Sequence, residues 1–397
     1  MVNILLVPIN DLKSHPTETR FISMGKGLVD KFDINIYVLH YRKIPTESKT
    51  NRKLGFKVLS LSDWKTKNIW SYYIVNALPM FFALLNALRK KNIDVIIHAN
   101  IVPSTIAVGL GELFHVPVIF DYQDHFPESA SAYYREGLTK SLVYTLVSKL
   151  NKINVDFSDA VVTVTNAHKD MIRKISPNKM VEVIPNGVNI EIFRPIPKDV
   201  AVKKLNASEL SQKIVITYFG SIDPWMDFTT VFKVLRRLVN EGLNVVLLVI
   251  GYSHTRFFLD ELKETATSIG VREHVNFVGT VSLDELVYYI NASDVTLAPY
   301  RKMTKNQVVS LKILESLACG IPVCTTGMHE IVKRFKGFVN VYSSEEELES
   351  ALKKYIKGKT MTSSENMRKI AAEYTWNSSA ELYHKVIMRV IAKNRKR

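Results

Sequence analysis

Lys312 and Glu315 stand three residues apart in Ser310-Leu-Lys-Ile-Leu-Glu-Ser-Leu-Ala. That spacing puts both side chains on one face of a helix's opening turns. Just before them, Leu297-Ala-Pro-Tyr-Arg-Lys-Met-Thr-Lys-Asn-Gln reads as a strand ending at Ala298 and an irregular loop of basic and amide side chains. In an open α/β sheet, ligands gather at the carboxyl ends of strands, and helix amino ends there attract phosphate. A lysine at such a terminus suits a diphosphate, and a carboxylate one turn further on suits the paired hydroxyls of a ribose. A Lys/Glu pair is ordinarily a solvated salt bridge. Here the apolar strand before it and Ala318-Cys-Gly-Ile-Pro-Val after it favour a site.

Other chemistries on such a fold are disfavoured. A dinucleotide fingerprint needs three glycines directly after the first strand, so that a pyrophosphate can approach the helix amino end. The first strand instead runs into Pro8-Ile-Asn-Asp-Leu-Lys-Ser-His-Pro, and the second half opens on Phe219-Gly220-Ser221-Ile-Asp-Pro with a single glycine. A Walker A sequence is also absent.

The elements that must position these residues alternate. Apolar, β-branched runs at 2–8, 34–39, 58–61, 95–99, 116–121, 160–165 and 181–184 enclose helical spacings at 20–31, 104–114 and 138–152. The pattern breaks at Pro185-Asn-Gly-Val-Asn and Phe193-Arg-Pro-Ile-Pro, which are turn and linker residues. It restarts with strands at 213–219, 244–250, 275–278, 294–298, 322–325 and 337–341, and helices at 229–240, 260–268, 283–290, 311–317 and 345–357. Alternation of this kind implies parallel sheets covered by helices on both faces. The reading is two Rossmann-like α/β domains, 1–190 and 191–375. A final amphipathic helix at 376–397, capped by Asn377-Ser-Ser, is expected to pack back on the first domain.

The totals agree with this. The 397 residues exceed one hydrophobic core, and 47% hydrophobic with 23% charged residues is a globular balance. Lys and Arg number 53 against 38 Asp and Glu, a formal charge of +15. Such an excess suits anionic partners. It forms no stripe with interleaved aromatics, which argues against nucleic acid. Cys319 and Cys324 fit neither a disulfide framework nor a zinc knuckle and read as buried apolar residues in a reducing compartment. Met1-Val-Asn-Ile-Leu-Leu-Val-Pro lacks a basic leader, so a cytoplasmic location is expected. Residues 69–88 carry no charge, and Arg89-Lys90-Lys91 follows. Their length meets the transmembrane criterion. A spanning helix would, however, put strands of one sheet on opposite sides of a bilayer, so a helix packed on its own sheet is expected. Its aromatics and terminal cations suit peripheral contact with the inner face of the cell membrane.

Three segments resemble glycosyltransferase family 4, whose architecture is GT-B, two facing Rossmann-like domains. They are Val183-Ile-Pro-Asn-Gly-Val-Asn-Ile-Glu-Ile-Phe-Arg-Pro195; Val275-Asn-Phe-Val-Gly-Thr-Val-Ser-Leu-Asp-Glu-Leu with Ala292-Ser-Asp-Val-Thr-Leu-Ala-Pro299; and Lys312-Ile-Leu-Glu-Ser-Leu-Ala-Cys-Gly-Ile-Pro-Val323. Trp376-Asn-Ser-Ser-Ala-Glu is similar to the start of the family's closing helix. The resemblance implies a retaining transferase that moves a sugar from a UDP- or GDP-sugar to a glycan or polyprenyl-linked glycan acceptor, without a metal or other cofactor. It places donor binding on Gly220, Ser221, Arg301, Lys305, Lys312 and Glu315, and catalytic roles on Asp124, His125, Gln307 and Glu315. Acceptor-side candidates are Asn10, His98, Asp124 and His125, with His15 and Arg20 beside the loop after the first strand. The chain departs from the family in three places: Gln307 replaces the first of an acidic pair, and Ser221 and Met226 replace a basic pair. Lys312, with Arg301, Lys302 or Lys305, would then neutralise the phosphates. The departures keep two other readings in view, a non-catalytic subunit binding a nucleotide sugar or a partner transferase, and a nucleotide-sugar epimerase.

Overall fold

The computed structural model describes residues 1–9, 12, 19–40, 55–61, 63–64, 66, 69–134, 136–253, 256–301, 310–327, 329–358 and 360–395. In chain order the elements are β1 (Val2–Val7), α1 (Thr19–Lys31), β2 (Ile34–His40), β3 (Lys57–Ser60), α2 (Ile69–Lys90), β4 (Val95–His98), α3 (Val102–Leu113), β5 (Val118–Tyr122), α4 (Phe126–Ser131), α5 (Leu138–Phe157), β6 (Ala160–Thr163), α6 (Asn166–Ile175) and β7 (Met180–Val183). There follow α7 (Lys198–Lys204), β8 (Ile214–Phe219), α8 (Phe228–Asn240), β9 (Val245–Ile250), α9 (Arg256–Ser268), β10 (Val275–Gly279), α10 (Leu283–Asn291), β11 (Val295–Ala298) and α11 (Leu311–Ala318). The chain ends with β12 (Val323–Thr326), α12 (His329–Arg334), β13 (Asn340–Tyr342), α13 (Glu345–Ile356), α14 (Ser364–Ala372) and α15 (Trp376–Asn394).

Two compact units result, Met1–Pro185 with Trp376–Arg397, and Asn186–Thr375. The first boundary falls five residues before the expected 190/191. Beyond Pro185 the chain already belongs to the second unit: the Val188 amide donates to Tyr374 O at 2.7 Å, and Phe193 is buried in that unit's core. Helix α15 begins at Trp376 itself, so Asn377-Ser-Ser forms its first turn rather than its cap.

The first unit holds a seven-stranded sheet of order β3-β2-β1-β4-β5-β6-β7, and the second a six-stranded sheet of order β10-β9-β8-β11-β12-β13. Every pair within these sheets is parallel. Central strands such as Val95–His98 and Val245–Ile250 are buried at every position, as helices on both faces require. The order reverses between β1 and β4 in one sheet and between β8 and β11 in the other. At such a point neighbouring connections leave in opposite directions and open a crevice at the carboxyl edge.

The uncharged helix α2 packs on its own sheet. Tyr72, Tyr73, Met80, Leu84, Ala87 and Leu88 join Leu5, Val7 and Ile96 in one buried cluster. The span Ser71–Lys90 is long and apolar enough to cross a membrane by length and composition. Its inner face is nevertheless part of the fold of this unit.

On another helical layer of this unit, α15 lies against α1. A Cβ on Gly27 would stand 3.0 Å from that of Ala380, Phe32 stacks on His384 at 3.8 Å, and Lys31 pairs with Glu381 at 2.7 Å. Arg20, in the first turn of α1, is buried with Asp121 at the end of β5. Its Nε donates to Asp121 Oδ2 at 3.2 Å, Nη1 to Pro185 O at 3.3 Å and Nη2 to Ile184 O at 3.1 Å. Ser379 Oγ of α15 donates to the same Pro185 carbonyl at 2.9 Å. Arg20 is therefore committed to holding the point where the chain leaves this unit. Burial pushes the Asp121 carboxyl up, and the Arg20 charge and hydrogen bonds from Arg20 and Tyr383 oppose that shift. Removing one partner of such a pair strands a charge in the core, so Arg20→Met is expected to cost about 3–5 kcal/mol in urea denaturation. A cost below about 1 kcal/mol would show that the pair does not hold this junction.

Candidate active site

In the second unit the functional side chains collect at the carboxyl edge around β8. This strand is followed at once by Gly220, whose φ of +119° disfavours any side chain. A Cβ there would stand 2.7 Å from Lys312 Cε and 2.9 Å from its Nζ. Lys312 thus lies directly across bare backbone. The neighbouring strand β9 is followed by Gly251, with φ +139°, where a Cβ would come within 1.8 Å of Gly220 O. Gly251 N in turn donates to Gly279 O at the end of β10 at 2.8 Å, and Gly220 N to Ile250 O at 2.9 Å. Three adjacent strand ends therefore approach one another, and the edge can admit a ligand close to the main chain.

Lys312 reaches this edge because Ser310 caps α11, its Oγ accepting from Lys312 N at 3.3 Å. Its ammonium lies over two aromatic rings, 5.1 Å from the Tyr218 centroid and 5.8 Å from that of Tyr300. Those faces attract a cation and steer it over the strand ends. Glu315, on the next turn, is buried. Burial raises its carboxyl to about 7 against the opposing pull of Lys312. Cys319, at the end of the helix, is also buried, and burial pushes its thiol up to about 12, out of the range of a nucleophile.

The loop after β8 is pinned to the loops after β9 and β11. Ile222 N donates to Tyr252 O at 2.7 Å, Asp227 N to Pro299 O at 2.7 Å, and Arg301 N to Trp225 O at 2.7 Å. The Arg301 side chain is exposed at this edge, and its Nε donates to Met226 O at 3.2 Å. The Ser221 carbonyl accepts from the Tyr218 hydroxyl. Met226, where the family resemblance leads one to expect a cation, is instead a core residue, and its neighbour Asp223 is buried as well. Tyr218 and Tyr300 were not singled out from sequence. Tyr218 is the penultimate residue of β8 and Tyr300 lies two residues beyond β11, and that placement was the available signal. Lys302, Lys305 and Gln307 lie outside the described residues.

The first unit has its own polar cluster at the carboxyl end of β5. The Tyr122 hydroxyl and His125 Nδ1 share a hydrogen bond of 2.8 Å, and Asp124 Oδ2 accepts from Ser129 Oγ. The rings of His168, at the start of α6, and Tyr144 meet Tyr122 and His125 edge-on at 5.3 and 6.4 Å. Asp124 and His125 therefore belong to one constellation, to which α6 and α5 add His168 and Tyr144. His168 follows the next strand in the sheet, so the same carboxyl-edge rule reaches it. Burial pushes the Tyr122 hydroxyl up, which keeps it neutral.

His98 differs from the expectation of an acceptor-side residue. It is wholly buried, stacks on Phe120 at 4.5 Å and shares a 3.0 Å hydrogen bond between Nε2 and Ser158 Oγ. Burial lowers its pKa to about 3, so it is a neutral core imidazole. Asn10 and His15 lie outside the described residues.

The profile of Glycosyltransferase Family 4 matches residues 17–192, and that of Glycosyl transferases group 1 matches residues 203–374. The D-inositol 3-phosphate glycosyltransferase of Thermobispora bispora is 28% identical over 182 residues, 44% of this chain and 41% of that one. The alpha-monoglucosyldiacylglycerol synthase of Streptococcus pneumoniae is 24% identical over 260 residues, 62% of this chain and 55% of the relative. The chain thus spans about half the length of the curated relatives it matches, or less. Among solved structures, Anabaena HepE in complex with UDP and glucose superposes with a TM-score of 0.73 at 15% identity, covering 98% of this chain and 99% of HepE. The fold is GT-B, and the chain belongs to glycosyltransferase family 4.

Proposed function

We propose that the chain transfers a sugar, with retention, from a UDP- or GDP-sugar to a glycan or lipid-linked glycan acceptor at a membrane surface. The observation that carries this reading is Lys312 lying across the bare backbone of Gly220 at the strand ends of the second unit. The bond between the anomeric carbon and the diphosphate oxygen breaks, and negative charge grows on that oxygen. Lys312 and the amino end of α11 stabilise that charge. The acceptor oxygen bonds to the anomeric carbon on the face the diphosphate leaves, and its proton passes to the departing phosphate. Glu315 accepts hydrogen bonds from the ribose hydroxyls. In the first unit, the bond from Tyr122 holds the His125 ring, and Asp124 and His125 bind acceptor hydroxyls. Support comes from relatives named for inositol phosphate and diacylglycerol substrates, and from HepE with its bound UDP and glucose.

Lys312→Ala and Glu315→Ala are each expected to weaken donor binding by about 10–100-fold, the loss of one charge-assisted hydrogen-bonding group. Thermal shift against UDP-, GDP-, ADP- and dTDP-sugars measures this, and unchanged binding in both variants would remove the site. With Lys312 supplying the positive charge, transfer is expected to survive EDTA, and loss of activity that a divalent metal restores would refute the metal-free mechanism.

Glu315 adds a pH dependence whose sign is determined. Its folded carboxyl holds its proton up to about 7, whereas its ordinary value is 4.5. The stability it contributes is therefore fully present below the ordinary value and is lost as pH rises to about 7. Glu315→Gln is expected to gain thermal stability relative to the parent across that window, while the parent's donor affinity rises through it. Parallel curves for the two proteins would contradict the assignment.

A further inference from the structure

We infer that the outer faces of α2 and α5 form one docking surface for an anionic lipid bilayer, the proposed acceptor's location, so the inference rests on the membrane-peripheral part of the proposed function. The inner face of α2 is core, but its outer face exposes Ile74, Val75, Leu78 and Phe82, the last three spaced at helical intervals. Ile74 is 76% exposed and Phe82 61%. A water-facing helix surface ordinarily carries charge, yet none occurs on α2 before Arg89 and Lys90. Helix α5 repeats the pattern. Leu138, Leu142, Leu146, Ile153 and Phe157 line its exposed face, with Leu138 78% and Leu142 60% accessible.

The two rows belong to one surface, because α3 packs against both helices. Between them α3 presents Gly109, where an added Cβ would meet nothing within 4 Å, and the exposed Leu113. Two apolar rows thus flank a helix that is itself uncharged on its outer side up to Glu112.

Charge selects which partner. Arg89, Lys90, Lys140, Lys149 and Lys152 lie on these three helices, against the acidic residues Glu112 and Asp156. Lys152 pairs with Asp156 at 2.6 Å and Lys140 with Glu136, whereas Lys149, Arg89 and Lys90 are exposed beside the apolar rows. Long basic side chains lay their stems along apolar surface and extend their heads to phosphates, so such rims fit anionic headgroups. A second copy of the chain is a poorer occupant, since a two-fold contact sets the same basic rim against itself.

The test is sedimentation of the full chain with vesicles of phosphatidylcholine alone and with phosphatidylglycerol added. Binding is expected to the anionic vesicles only, and to be released by a carbonate wash. Leu78→Glu with Phe82→Glu, and separately Leu142→Glu with Leu146→Glu, should each lower the partition coefficient about tenfold or more. Lys149→Glu with Lys152→Glu should abolish the preference for anionic lipid. Donor-induced thermal shift should match the parent in every variant, which also shows that each has folded. Parent-like vesicle binding by the glutamate variants, or retention through the carbonate wash, would overturn the surface. A lipid-free dimer broken by the same variants would overturn it in favour of self-association. A parent that responds to donor but ignores vesicles refutes this surface alone, whereas a parent that responds to neither refutes the transferase reading as well.

Discussion

All strands in both sheets are parallel, and this constraint sets where chemistry can occur. Parallel strands deliver their carboxyl ends to one edge, and each following helix begins there with its amide groups unsatisfied. In the second unit that edge is sharpened by backbone approach: Gly251 stands so close to Gly220 that a single Cβ would collide with its carbonyl. Lys312 can lie flat on this main chain because nothing projects from it. The Tyr218 and Tyr300 faces, the Ser310 cap and the pinned loop before α8 all follow from the same meeting of strand ends.

Buried ionisable groups meet three different fates, set by their partners. Arg20 donates to Asp121 and to two backbone carbonyls, so a charge pair can serve as a structural fastening where the chain leaves the first unit. His98 has a hydroxyl and an aromatic face but no counter-charge, and it stays neutral. Glu315 has one cation nearby and no carboxylate hydrogen bond among the described residues, which leaves its ionisation balanced near neutrality. A group so balanced changes charge readily when hydroxyl donors arrive, as the proposed ribose contact requires, whereas a fastening carboxylate keeps one partner.

The first unit divides its helices between two tasks. The layer of α1 and α15 is closely fitted, down to Gly27 against Ala380. The layer of α2, α3 and α5 packs inward on the sheet and leaves apolar side chains outward. The hydrophobic effect does not by itself stabilise an exposed leucine row, so such a row calls for an occupant.

Much of this was legible in the sequence. Alternating apolar and helical periods located the thirteen strands of the described residues within a few positions, because a strand buried on both faces must be apolar throughout. The spacing of Lys312 and Glu315 placed both on the opening turns of one helix, since local geometry decides that much. The helices α4 and α14 escaped, α4 because its six residues give too few turns for a period to register. Residue type alone misassigned His98 and left Met226 unresolved. An imidazole at a strand end faces either the core or the edge depending on register, and a loop residue is buried only if another loop closes over it. Sequence determined the elements and their polarity because these depend on neighbours within a few residues. Tertiary structure decided which polar groups meet, as with Arg20 and Asp121 or Lys312 and Gly220, because those contacts join segments far apart in the chain.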